Sequence, residues 1–265
     1  MADVKRSFIR GLWGIYEHNN RRFFKRRTKL DNDFRMVKLN KNAPEHITYV
    51  FGEDNYKYLV DKGFKARLVD KRPIVWDMDK EQFRHKLEVL HQGMQEFDEI
   101  AFLDWDCTAC RPIPSNFWDR LREKASIQAV LRQYRKKKLS WRLSDQRKLP
   151  EASFVYINDP DVTVGLNNLW EEMGRPWSEE RVMGKYIDNL IGDTDGDWLD
   201  KYWETFEPFF ATWGNAKVPS PSAKKNGYFF VHINHKVVSR LLKQSNNNSD
   251  ELTNLLTQLP FVGRR

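Results

Sequence analysis

One stretch, residues 97–110 (FDEIAFLDWDCTAC), constrains the fold more than any other. Ile100, Ala101, Phe102 and Leu103 form a short apolar run without alternation. A strand with one wet face alternates, so this run predicts a strand covered on both faces, as in the middle of an α/β sheet. Asp104 and Asp106 follow at once, with Trp105 between them. Residues two apart leave a strand on the same side, so the two carboxylates emerge together. Paired carboxylates suit a hard divalent cation such as Mg²⁺ or Mn²⁺, and open α/β sheets collect ligands at the carboxyl ends of their strands. A polar turn after a buried strand has the same pattern, so other parts of the chain must decide.

Those parts alternate. Residues 7–16 read as a first strand with Gly11 and Gly14 near its end, and 18–39 as a basic helix. Strands at 47–52 and 64–69 flank a helix at 53–62 that Gly63 stops. Residues 79–97 form the strongest helical pattern, with Phe83, Leu87, Leu90 and Met94 as one buried stripe. Downstream come a helix at 115–124, strands at 127–130 and 152–157, and helices at 166–173 and from Ser178. An aromatic-rich helix pair at 198–213 and a last strand at 228–236 follow. Strand, helix, strand with short connections is the rhythm of a largely parallel α/β sheet.

A chain of 265 residues suits one large α/β domain or two small ones. No apolar run approaches the roughly 20 residues of a membrane span. The first residues lack the apolar core and cleavage site of a signal peptide, and two cysteines make no disulfide framework. The expectation is a cytoplasmic protein, soluble or peripheral at a membrane. The net charge of +8 is concentrated in Arg21, Arg22, Lys25, Arg26, Arg27 and Lys29, and in a second cluster from Arg132 to Lys148. Clustered charge points to a polyanionic partner: nucleic acid, an acidic glycan, an anionic membrane face or a diphosphate. Cys107 and Cys110 precede Arg-Pro-Ile-Pro, which is no helix start, and lack further metal ligands at suitable spacing, so they read as structural thiols. The calcium-like run at 193–200 lacks the glutamate at position twelve and reads as a turn and helix cap.

A long amphipathic helix followed by an apolar strand ending in Leu-Asp-x-Asp resembles the metal site of GT-A-fold glycosyltransferases, with agreement of order over about residues 7–236. The resemblance implies an α/β fold of GT-A (Rossmann-like) type, a mixed, mainly parallel sheet flanked by helices. It implies one catalytic domain over 1–243, with a nucleotide-sugar-binding half (1–114) and an acceptor-binding half (115–243), then a flexible linker and tail at 244–265. The implied activity is divalent-metal-dependent transfer of a sugar, of hexosyl type, from a nucleoside-diphosphate sugar, with UDP as the default nucleotide. Mn²⁺ or Mg²⁺ would sit on Asp104 and Asp106. A late histidine would add a ligand, His235 first and His232 second, and Lys236 would meet the diphosphate. Gly11, Trp13, Gly14 and Tyr16 match the base and ribose contacts, while Arg84, Lys86 and Trp105 match donor contacts near the metal. The polar loop at 217–226 could close over the donor. An inverting enzyme needs a base for the acceptor hydroxyl, and Asp159, Asp161, Glu179 and Glu180 form the pool; a retaining one does not.

The cationic clusters favour an anionic acceptor, either an acidic glycan or lipid-linked saccharide, or DNA carrying hydroxymethylated bases, which would have to leave the stack. A nucleic-acid-binding protein without transferase activity explains the charge but not the paired aspartates. A metal-dependent nuclease needs further carboxylates or a lysine near Asp104, and no P-D…(D/E)-x-K pattern stands there.

Overall fold

The computed structural model describes residues 4–13, 21–71, 84–123, 126–131, 150–176, 178–191, 210–213, 230–233 and 235–258. Gly14 and Tyr16, the second basic cluster, the 193–200 run and the 217–226 loop lie outside the described residues.

The main sheet has six strands: β1 (Arg6–Leu12), β2 (His46–Phe51), β3 (Ala66–Asp70), β4 (Glu99–Leu103), β6 (Ile127–Leu131) and β7 (Pro150–Ile157), in the order β3-β2-β1-β4-β7-β6. β1 pairs in parallel with β2 and β4, and β2 with β3. β7 runs antiparallel to both β4 and β6. This is the mixed, mainly parallel sheet that the sequence led us to expect. A second, three-stranded sheet joins β5 (Cys107–Ala109) to β9 (Phe230–Ile233) and β8 (Phe210–Trp213).

Both faces of the main sheet are covered, which is why β4 is apolar throughout its centre. On β1, successive side chains point to opposite faces. Phe8 meets Phe117 of α4 (Phe117–Arg122) and Phe230 of β9. Ile9 meets the helix α3 (Arg84–Glu96) at Gly93, where a Cβ would stand 2.7 Å from Ile9 Cδ1. That glycine lets helix and sheet approach closely. Leu87, Leu90 and Met94 are buried there, as the helical stripe predicts. α5 (Pro160–Glu172) and α6 (Glu179–Ile191) pack beside α3. α2 (Glu53–Asp61) ends at Gly63, whose φ of 75° suits only glycine well.

Three expectations are corrected. Residues 210–213 are a strand, not part of a helix pair, because they add a parallel rung to β9. The last strand stops at Ile233, and His235 opens the helix α7 (His235–Gln244). The 244–249 segment, expected as a linker, is a tight turn between α7 and α8 (Ser249–Thr257). Asn246 and Asn247 take left-handed φ of 48° and 58°, and the Asn248 side chain caps α8 by accepting from the Glu251 N–H at 3.0 Å. α8 is docked through Leu252 and Leu256, buried with Met36 of α1 (Arg21–Leu39) and with Val231 and Ile233 of β9. Ser249 Oγ also donates to the Leu39 carbonyl at 2.6 Å.

Candidate active site

The site is built on the turn after β4. The Asp104 N–H makes a last rung to the Ser153 carbonyl of β7, and the Cys107 N–H returns to the Asp104 carbonyl, each at 2.9 Å. Arg10, fully buried on β1, holds this turn from beneath. Its guanidinium donates to the Asp104 carbonyl and, at 3.1 and 3.2 Å, to the Cys107 carbonyl. Burial lowers its pKa to about 10, against the pull of Cys107, Asp104, Asp106 and Asp33. Trp105 turns inward. It is 7% exposed, its ring meets Phe34, Phe64 and His46, and its indole N–H donates to the Gly11 carbonyl at 3.0 Å. The expected donor contact through Trp105 is therefore replaced by a core role. Inward packing of Trp105 leaves Asp104 and Asp106, on either side of it, partly open.

Each carboxylate has its own lysine. Lys86 on α3 bonds Asp104 Oδ1 at 3.0 Å and Oδ2 at 3.2 Å, Glu179 Oε1 at 3.1 Å and the Ala152 carbonyl at 3.1 Å. Burial alone would lower the Lys86 pKa; Asp104 and Glu179 outweigh it and raise it. Lys29 on α1 bonds Asp106 Oδ2 at 2.8 Å. Burial again works against its ammonium, and Asp106 again prevails, raising its pKa. β9 pairs with the segment just after the aspartates, with His232 opposite Cys107 and the Ile233 N–H on the Asp106 carbonyl at 2.7 Å. That register brings His232 Nε2 to 3.2 Å from Asp106 Oδ1, while its Nδ1 lies 3.1 Å from Ser153 Oγ. Burial would push the Asp106 carboxyl up; His232 and Lys29 hold it well below the usual carboxylate range.

Asp33, one turn beyond Lys29 on α1, was not singled out from sequence. It is 2% exposed, and its Oδ1 has no hydrogen-bond partner among the described residues. Burial, then Asp106, pushes its carboxyl up to about 7, against Lys29, Arg10 and His232. The available signal was an acid set beside Phe34, Met36 and Val37 on the buried face of a basic helix. Arg10 and Ser153 also went unnoticed; a lone arginine within an apolar strand was the clue to the first.

The other expected residues fall variously. Gly11, next to last on β1, lies under the Trp13 ring, which is half-buried and packs on the core; a Cβ would come 2.2 Å from it. Arg84 is exposed and pairs with Glu171 at 3.8 Å. Of the four candidate bases, Glu179 reaches the aspartate cluster, through Lys86. Asp159 caps α5 by accepting from the Asp161 N–H at 2.9 Å, and Asp161 is exposed. Glu180 lies in the first turn of α6, its N–H on Ser178 Oγ at 3.1 Å. Lys236 is exposed in the first turn of α7.

Among the described residues, no three His, Cys, Asp or Glu side chains are grouped to hold a metal ion as they stand. The donor chemistry nonetheless fits a hard cation: oxygens of Asp104 and Asp106, an imidazole on Asp106, and the unpartnered Asp33 oxygen nearby in charge. Among the same residues, no helix is long and apolar enough to cross a membrane.

No protein-family model matches the sequence, and no curated protein matches it. Solved structures do resemble it. One is a glycosyltransferase involved in glycosylation of the major capsid of PBCV-1, at 10% identity and a TM-score of 0.43, covering 89% of this chain and 98% of that one. Mouse xyloside xylosyltransferase 1 aligns at 12% identity and 0.41, covering 86% and 97%. CMP:2-keto-3-deoxy-manno-octonic acid synthetase with CTP aligns at 9% identity and 0.40, covering 70% and 86%.

Proposed function

We propose that this chain is a divalent-metal-dependent glycosyltransferase. It takes a sugar from a nucleoside-diphosphate donor, UDP first, and delivers it to a hydroxyl of an anionic acceptor, a glycan or lipid-linked saccharide. The observation that carries this reading is the pair Asp104 and Asp106 at the carboxyl end of a central strand, with His232 seated on Asp106. Paired carboxylates with an imidazole are a natural ligand set for Mn²⁺ or Mg²⁺. Asp104, Asp106 and His232 would hold the ion. When bound, it neutralises charge on the departing diphosphate.

The remaining work falls to the chain's own groups. Lys86 fixes Asp104 against Glu179 and keeps both carboxylates in one orientation. Glu179 is our candidate to take the acceptor proton in an inverting transfer. Its place at the start of α6 suits a carboxylate through the helix dipole. Lys236 and the basic start of α1 would add positive charge toward the phosphates.

A thermal-shift panel of UDP-, GDP- and CMP-sugars, with and without Mn²⁺, on the native chain and Asp106→Asn tests this. Stabilisation by one donor that needs Mn²⁺ and is lost in the variant is the expected result. No shift with any donor, alongside stabilisation by DNA at low salt, would overturn it in favour of a nucleic-acid-binding protein.

A further inference from the structure

Both oxygens of Asp106 are occupied by the protein itself, Oδ2 by Lys29 and Oδ1 by His232. The two partners differ chemically. A neutral imidazole can share a cation with a carboxylate, but an ammonium has no lone pair and must leave. The two lysines of the site differ as well. Lys86 has a side chain 6% exposed and fixed by three partners, whereas the Lys29 side chain is 41% exposed and bonds Asp106. Lys29 can therefore move without repacking the core, as a long side chain with a wet head commonly does.

Asp33 lies four residues along the same helix, the spacing that brings two side chains onto one face. It is a buried carboxylate with an oxygen that no described group satisfies. Such an oxygen is costly to leave unmade. It is also within the electrostatic reach of Lys29, which lowers its pKa.

Resting on the proposed donor site, we propose that Lys29 exchanges between two carboxylates, sitting on Asp106 until a divalent cation takes that residue and then moving to Asp33. The exchange keeps Asp106 paired in both arrangements and gives Asp33, unpartnered at Oδ1 in the first, its partner in the second. Lys29 thus competes with the cation for Asp106, and Asp33 offsets the competition by offering the displaced ammonium a second seat.

Mn²⁺ binding to the full chain, read from the electron paramagnetic resonance signal of free Mn²⁺, tests this with four proteins: native, Lys29→Met, Asp33→Asn and the double variant. Lys29→Met should bind about tenfold more tightly and Asp33→Asn about tenfold more weakly. The double variant should match Lys29→Met, since Asp33 matters only while Lys29 needs a seat. Equal weakening by Asp33→Asn in both backgrounds would leave a plain charge effect and overturn the exchange alone. Absence of Mn²⁺ binding by all four would overturn the donor-site reading and the exchange with it.

Discussion

The Arg10 guanidinium carbon lies 5.0 Å from the centre of the Trp105 ring, and both groups reach across to hold the same short turn. Arg10 binds the carbonyls of Asp104 and Cys107; Trp105 binds the carbonyl of Gly11. Among the described residues, the hydrogen-bond partners of this buried cation are backbone oxygens of the turn that presents Asp104 and Asp106. Arg10→Lys keeps the charge but cannot span two carbonyls with a planar fork. Chemical denaturation should show it less stable by about 2 kcal/mol, the range for hydrogen bonds to charged groups. Trp105→Phe, which removes one neutral bond and part of a buried ring packed on Phe34, Phe64 and His46, should cost about 2–3 kcal/mol.

Lys86 bridges two carboxylates in a dry setting, so its loss should be worse. Lys86→Met leaves Asp104 and Glu179 facing each other without their shared cation. Breaking a buried pair by removing one partner costs about 3–5 kcal/mol. Repulsion relaxes when a carboxylate takes a proton, so the deficit should shrink between pH 7 and pH 4. In the native chain the raised Lys86 pKa works oppositely at high pH: its stabilisation is complete below the ordinary lysine value of 10.5 and is lost as pH rises above it. Urea midpoints at pH 4, 7 and 11.5 would reveal both trends; a deficit constant with pH would contradict the assignment.

The parts of this arrangement that sequence made legible were those with a strong local pattern. The unbroken run Ile100–Ala101–Phe102–Leu103 announced a strand covered on two faces, and Leu87, Leu90 and Met94 announced the helix over it. Asp104 and Asp106 followed from their place at a strand end. The sequence pattern favours His235 over His232 because it carries the last strand on to residue 236, whereas the strand stops at Ile233. Pairing to β5 ends at His232 and pairing to β8 at Ile233, limits set by partners distant in sequence. The tail misled for a similar reason. Gln-Ser-Asn-Asn-Asn-Ser has a linker's composition, yet asparagine also tolerates left-handed backbone, and two of them make a tight turn. Asp33 and Arg10 could not be assigned from pattern, since each acts through groups on other elements.

His46 should make the fold acid-sensitive. Burial, and then the positive charge of Arg10, lowers its pKa to about 3 from the ordinary 6.5. A depressed folded value means stability is fully present above pH 6.5 and is lost as pH falls toward 3, because the unfolded chain takes the proton first. His46→Phe, which keeps a ring beside Phe64 and Trp105, removes this contribution. Between pH 6.5 and pH 4 the native chain should lose about 3 kcal/mol more than the variant. Parallel acid profiles for the two proteins would rule out His46 as the source.

The docked C-terminal hairpin makes the last prediction one about reach. Leu252 is fully buried in the cluster that joins α8 to Met36 on α1 and to Val231 and Ile233 on β9, the elements that carry Lys29, Asp33 and His232. Leu252→Ala should cost about 2–5 kcal/mol through lost burial and the cavity left behind. Val60→Ala, at an exposed position on α2, should change stability by less than about 0.5 kcal/mol. If α8 merely clung to the surface, the two substitutions would cost the same. Because it instead braces α1 against β9, Leu252→Ala should also weaken Mn²⁺ binding under conditions where the protein is still folded, while Val60→Ala should not. Calorimetric Tm values, together with Mn²⁺ titrations at a temperature well below both, separate loss of the brace from loss of the fold.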